Sequence, residues 1–174
     1  SNLCCEINLP TKPLTHLHDE EGEISLCTLA AINWGNIKTP FHFKNVCDLA
    51  VRALDELLDY QDYPVVAAHL STMKRRPLGV GIINFAYWLA KHDTTYQDPD
   101  LKLIDAWAEA WSYYLIKASA DLALEKGTIP GNMETKYGHG ITPNMTYKKE
   151  LDELLPHKER MPWKSLRKQL KKTG

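Results

Sequence analysis

The residues best suited to chemistry stand together at the start of the sequence, in Ser1-Asn2-Leu3-Cys4-Cys5-Glu6-Ile7. In an extended segment, residues i, i+2 and i+4 point to one face. Asn2, Cys4 and Glu6 therefore project together, and Cys5 points the other way. An amide, a thiol and a carboxylate then surround one small space. The sulfur there can act as nucleophile or radical carrier. A carboxylate of ordinary pKa, about 4.3, is ionised at neutral pH and can accept a proton. The same three residues also describe an edge strand with a solvated polar face, since short motifs carry a real false-positive risk.

Other residues compete for a role. Cys27 lies in a short apolar run and reads equally as a small core hydrophobe. Cys47 sits on an amphipathic stretch and reads as packing. His16 and His18 have metal-ligand spacing, but no Cys or acid pair accompanies them, so a solvated loop describes them better and no metal is expected. Gly79-Val80-Gly81 resembles a dinucleotide fingerprint whose third glycine is Asn84, and close backbone packing in a strand explains it better. Trp107 and Trp111 suit stacking on a ligand or, by default, on their neighbours.

Positioning these groups needs a core. A chain of 174 residues with 44% hydrophobic and 25% charged residues has the composition of one soluble domain, and a net charge of −1 gives no global pull toward nucleic acid or anionic membrane. No apolar run approaches a membrane span and no secretory leader precedes the motif. The four cysteines form no secreted-type framework, so a reducing, cytoplasmic setting is expected.

The pattern predicts strands near 1–10, 24–32 and 77–83, with a polar hairpin-like connection at 14–23. Asn45 is placed to cap a helix with an apolar face of Val46, Ala50, Leu54, Leu57 and Leu58. Short helices are expected over 64–73, ending at Lys74-Arg75-Arg76, and over 84–91. Asp98-Pro99-Asp100 opens the longest helix, with Ile104, Trp107, Ala108, Trp111, Leu115, Ala118 and Leu122 as its apolar stripe and Gly127 as its stop. Residues 128–145 read as loop. Helices over 147–155 and 163–172 follow, the last a basic, solvated face. Strands alternating with helices indicate a helix-rich α/β fold in a single domain.

Several motifs occur in an order that resembles the class I ribonucleotide reductase large subunit of bacterial and phage type. They are Ser1-Asn2-Leu3-Cys4 with Glu6 and Leu9-Pro10-Thr11-Lys12-Pro13; Leu26-Cys27-Thr28-Leu29; Arg52-Ala53-Leu54-Asp55; Leu58-Asp59-Tyr60-Gln61-Asp62-Tyr63-Pro64; Arg75-Arg76-Pro77-Leu78-Gly79-Val80-Gly81; and Thr146-Tyr147-Lys148-Lys149-Glu150-Leu151-Asp152. The resemblance implies that residues 1–174 are one partial domain of a ten-stranded α/β barrel, with residues 1–10 as its central finger loop. It implies that Cys4 carries a thiyl radical, that Glu6 is the base, that Asn2 and Ser1 contact substrate, and that Cys27 is one of a redox-active pair.

By the same resemblance, the partner cysteine, the tyrosine pair that relays the radical and the phosphate-binding loop lie outside this chain. No cofactor is then bound here. The radical comes from a diiron-tyrosyl small subunit, and thioredoxin or glutaredoxin is the external reductant. The expected partners are the remaining segments of the large subunit, the small subunit and a ribonucleoside diphosphate. The sequence opens inside the motif, which implies preceding residues that were removed, as at a splicing or cloning boundary, or that another polypeptide supplies. Two rival readings stand beside this one. One is a non-catalytic helical interaction module derived from the family. The other is an unrelated thiol oxidoreductase using Cys4 and Cys27, which would lack C-x-x-C and a flanking cation.

Overall fold

The computed structural model describes residues 9–156 and 158–173. Two strands, β1 (Thr28–Asn33) and β2 (Leu78–Ile83), pair in parallel, with Thr28 opposite Leu78 and Asn33 opposite Ile83. A parallel pair needs a long crossover, and two helices supply it: α1 (Phe43–Tyr60) and α2 (Val66–Arg75). After β2 come α3 (Phe85–Lys91), α4 (Leu101–Lys126) and α5 (Trp163–Thr173). The fold is helix-rich α/β, and the described residues contain these two strands and no closed barrel.

The differences from expectation have local causes. Strand β1 begins at Thr28, because residues 23–25 are occupied by other contacts: Glu23 bridges Lys12, and Ser25 Oγ donates to the Pro10 carbonyl at 2.5 Å. Residues 9 and 10 are not in a strand, and the rest of the expected first strand lies outside the described residues. Helix α1 starts two residues before Asn45, running on from a 3-10 turn over Pro40–His42. Its buried stripe is Phe43, Cys47, Val51, Leu54 and Leu58, while Leu57 is exposed. Residues Lys149–Glu153 form a 3-10 helix, not an α-helix.

Helix α4 is capped by Asp100, whose Oδ1 accepts from the Leu103 N–H at 3.0 Å, so Pro99 precedes the cap and is not the first helical residue. The helix is buried on two sides. Trp107 and Ala110 face a core shared with Ile32, Trp34, Phe43, Cys47 and Trp88. Tyr113, Ile116 and Ala120 face Trp163, Leu166 and Leu170 of α5. A helix apolar over so much of its circumference must be covered on both sides.

Candidate functional site

The described chain nearest the chemical motif is the stem at residues 9–12 and its neighbour strand. Lys12 and Glu23 exchange backbone hydrogen bonds at 3.1 and 3.2 Å, which closes the hairpin-like connection. Inside that connection the Asp19 carboxylate accepts from Thr15 N–H and Oγ–H and from the Glu21 and Gly22 N–H groups. The Thr15 bonds, followed by that from Glu21, hold this carboxyl far below the usual range. His16 and His18 lie exposed on the same turn, and no metal-holding cluster occurs among the described residues.

Two residues beyond Ser25, Cys27 sits half-buried at the head of β1, with its Sγ 3.7 Å from the Thr28 carbonyl. The Ser25–Pro10 bond thus ties the stem to the approach of that cysteine. Thr28 N–H donates to the Pro77 carbonyl at 3.3 Å, which brings in the head of β2.

Three successive cations at the end of α2, where the helix dipole favours positive charge, fasten this end of the sheet. Arg75, nine-tenths buried, pairs with Glu23 at 3.1 Å and Glu134 at 3.0 Å, and Lys74 reaches Glu134 at 2.7 Å. The Arg75 hydrogen bond holds the Glu23 carboxyl below its ordinary value against the opposing pull of desolvation.

Arg76 turns the other way. Its backbone is left-handed (φ 42°, ψ 59°), which ends α2 ahead of Pro77. Its guanidinium grips Asp55 at 2.5 Å, the Asp55 carbonyl at 2.8 Å, and Asp59 at 2.7 and 2.8 Å. Lys126 adds 2.8 Å to Asp55 and also pairs with Glu56. Burial pushes the Asp55 carboxyl up, but Arg76 and Lys126 outweigh it and hold it below the ordinary value.

The far end of the sheet is different. Asn84 Nδ2 donates to Asn33 Oδ1 at 3.1 Å, joining the two strand ends. A Cβ on Gly35 would lie 2.5 Å from Asn84 Nδ2 and 2.6 Å from Tyr87 Cδ1, so a larger residue there must push both side chains aside. Behind it Trp34 is the hub of a ring cluster: Phe43 and Trp88 at 5.4 Å, Phe85 at 5.6 Å, Trp107 at 6.0 Å and Trp111 at 6.3 Å. Trp107 and Trp111 therefore pack and do not form a stacking platform.

The whole chain, residues 1–174, matches the family described as "Ribonucleotide reductase, barrel domain". The chain belongs to that family. It is 53% identical, over its full length, to the ribonucleoside-diphosphate reductase subunit alpha of Haemophilus influenzae, 51% to the reductase 1 subunit alpha of Escherichia coli K12, and 41% to the subunit alpha of Enterobacteria phage T4. It spans 23% of the length of each of these relatives.

Of the residues singled out in the sequence of this ribonucleotide reductase segment, Ser1, Asn2, Cys4, Cys5 and Glu6 lie outside the described residues. Cys27 is placed at the head of β1, next to the tethered stem. Cys47 is a free thiol fully buried near Trp34 and Phe43, with its pKa pushed up to about 12 by desolvation. Its Sγ approaches the Trp111 carbonyl at 3.9 Å, and no bridge joins it to Cys27. Gly79 and Gly81 lie within β2 and not in a strand-to-helix turn, so they form no phosphate loop. A Cβ on Gly81 would meet only the Ala30 carbonyl at 3.9 Å, so close packing does not explain that glycine.

Sequence reasoning missed the braces around Glu23, Asp55 and Asp59. The run Lys74-Arg75-Arg76 ahead of a proline was the available signal. It also left out the adjacent Tyr113 and Tyr114, which serve packing: Tyr113 meets Trp163 edge-on at 5.2 Å.

Proposed function

We propose that this chain is part of the catalytic barrel of a ribonucleoside-diphosphate reductase, which converts ribonucleoside diphosphates to deoxyribonucleoside diphosphates for DNA synthesis. The observation that carries the proposal is identity above 50% with two bacterial alpha subunits, in matches that cover the full length of the chain.

The chemistry follows from the residue types. A thiyl radical on Cys4 takes the hydrogen atom from the ribose 3′ carbon, a reversible transfer because S–H and activated C–H bonds are close in strength. Glu6 accepts the 3′-hydroxyl proton. Asn2, with Ser1 beside it, holds the ribose hydroxyls in register. The 2′-hydroxyl takes a proton from the cysteine pair and leaves as water. Cys27 with a second cysteine outside this chain supplies two electrons and the remaining proton to the 2′ carbon and becomes a disulfide. Cys4 then regains its radical as hydrogen returns to the 3′ carbon. A radical-generating small subunit of the diiron-tyrosyl kind starts the cycle, and a thioredoxin or glutaredoxin reduces the pair.

Two structural features support the reading. The Ser25–Pro10 tether brings the stem of the motif beside Cys27, and six residues of chain from Pro10 to Cys4 reach at most about 21 Å. Leu29, Ile82 and Ile83 expose 54%, 38% and 51% of their surface, although parallel sheets are normally covered on both faces. Further strands of a ten-stranded barrel would cover them.

The test uses the full-length subunit that carries this segment, with its small subunit, reductant and a nucleoside diphosphate. Cys4→Ser is expected to abolish turnover, and Cys27→Ser to stop reduction by the external dithiol. The 174-residue chain alone is expected to show no turnover. Full activity of Cys4→Ser would refute the assignment.

A further inference from the structure

The exposed face of α5 and the loop opposite it border an open groove of about 440 Å³. Lys164, Lys168 and Lys171 fall at i, i+4 and i+7 along one wall, a span of roughly 10 Å along the helix. Ile141 and Met145 form part of the other wall. The groove depends on Gly140. At its φ of 69°, a Cβ would lie 2.7 Å from Lys171 Cε and 3.0 Å from the Arg167 carbonyl, so only glycine lets the loop approach this closely.

The cations here are of two kinds. Arg167 is engaged in a fork with Glu159 at 2.8 and 3.1 Å, and Asn144 Nδ2 steadies the same carboxylate at 2.7 Å. Lys164, Lys168 and Lys171 have no carboxylate within 4.0 Å among the described residues. His139 Nε2 lies 3.1 Å from the Met133 carbonyl, which can only accept, so Nε2 carries a hydrogen. A chain of net charge −1 thus gathers three ammonium groups, unpaired among the described residues, along one open groove.

We propose that this groove binds an oligophosphate, a run of linked phosphate groups in a small molecule. Ammonium groups on flexible stems act as point charges and suit phosphate oxygens whose charge is spread around each phosphorus. Planar carboxylates of an acidic peptide are gripped best by arginine forks, and the arginine in this groove is already taken. The proposal does not rest on the reductase reading.

Lysine acylation with a limiting N-hydroxysuccinimide ester, mapped by peptide mass spectrometry on the full-length subunit, reads each lysine separately. Sodium tripolyphosphate is expected to slow labelling of Lys164, Lys168 and Lys171 saturably, by about fivefold or more, while exposed Lys102 stays within about twofold, since screening alone acts on every surface charge alike. In K164E/K168E, or in K164Q/K168Q should the reversal fail to fold, the protection of Lys171 is expected to disappear. A nucleoside triphosphate that protects equally leaves the phosphates as the recognised part. Stronger protection that Met145→Ala removes places the rest of that molecule on the apolar wall, with the oligophosphate site intact. No saturable protection, equal protection of Lys102, or equal protection by an oligoglutamate peptide would overturn the proposal.

Discussion

The two ends of the parallel strand pair are held by opposite means. At the end where the strands finish, Trp34, Phe43, Trp88 and Trp107 pack ring on ring with almost no charge among them. At the end where they start, next to Cys27 and the tethered stem, Leu78 packs on a small cluster of Val51, Ala118 and Leu122, and ion pairs surround it. There Glu23, Asp55 and Asp59 are held by Arg75, Arg76 and Lys126. Packing of rings resists both pH and salt, whereas partly exposed ion pairs respond to both. The end nearest the proposed chemistry is therefore the one whose rigidity depends on solution conditions.

The sharpest contrast is chemical. Cys47 lies in the ring-packed end, its thiol pushed up to about 12 by burial. At pH 8 only about one such thiol in ten thousand is ionised, and the thiolate is the reactive form. Alkylation of Cys47 by iodoacetamide is expected to be slower in the native protein than in urea by about a thousandfold or more, read by peptide mapping. Native labelling within about tenfold of the unfolded rate would mean that the ring-packed end opens readily.

Side-chain truncation compares the ends directly. Trp34→Ala is expected to cost about 4 kcal/mol, as large aromatic-to-alanine changes in a closed core do, with little dependence on salt. Arg76→Ala is expected to cost about 3 kcal/mol, because Asp55 is left buried with Lys126 as its remaining cation and Asp59 loses both its bonds. Arg76→Gly should recover about 1 kcal/mol of that, since glycine adopts the left-handed φ of 42° without strain. Urea titrations of the three variants decide it. A cost for Arg76→Ala below about 1 kcal/mol would show that the ionic end behaves as an ordinary solvated surface.

The legibility of the molecule divides along the same line. Packing is written in periodicity, so α1, β2, α4 and α5 stand in the sequence near their observed places, and Gly127 ends α4 where expected. The second buried face of α4 was hidden, because Tyr113, Ile116 and Ala120 sit among residues already assigned to the first stripe. Arg76 was hidden for a deeper reason. Its guanidinium is held by Asp55 and Asp59, which stand 17 or more positions away in sequence. Of the site, Cys27 carried meaning only through its resemblance to a family, since an isolated cysteine in an apolar run is indistinguishable from packing. Alternation alone left Asn2, Cys4 and Glu6 between a reacting group and a solvated edge strand; the resemblance gave them their roles, and they lie outside the described residues.

Acid separates the two ends without mutation. Arg75 holds Glu23 below its ordinary value of 4.5, and for Asp55 the pull of Arg76 and Lys126 exceeds the push of burial from 3.8. Groups with lowered folded pKa values contribute stability that is full above the unfolded value and is lost as pH falls through the folded one. Stability should thus be level near neutrality and decline below about pH 4.5, with amide exchange quickening first around residues 12–28 and 74–78. Loss that begins instead around Trp34 and Trp88 would contradict the assignment of the braces.

The smallest expected effect tests whether any polar contact matters at the ring-packed end. Asp100 caps α4 through a single bond to Leu103 N–H at 3.0 Å, one turn before Trp107 joins the cluster. Removing a capping oxygen leaves one orphan N–H at an exposed helix start, where water can replace most of what is lost. Asp100→Ala should therefore cost about 1 kcal/mol in urea unfolding, and Asp100→Asn, which keeps a capping oxygen, only a few tenths. Both costs should be insensitive to salt, since the bond is local and no cation pairs with Asp100 among the described residues. A loss near 3 kcal/mol would mean that the cap sets the register of Trp107 against Trp34 and Trp88, and the ring-packed end would then lean on a polar contact as much as the ionic end does.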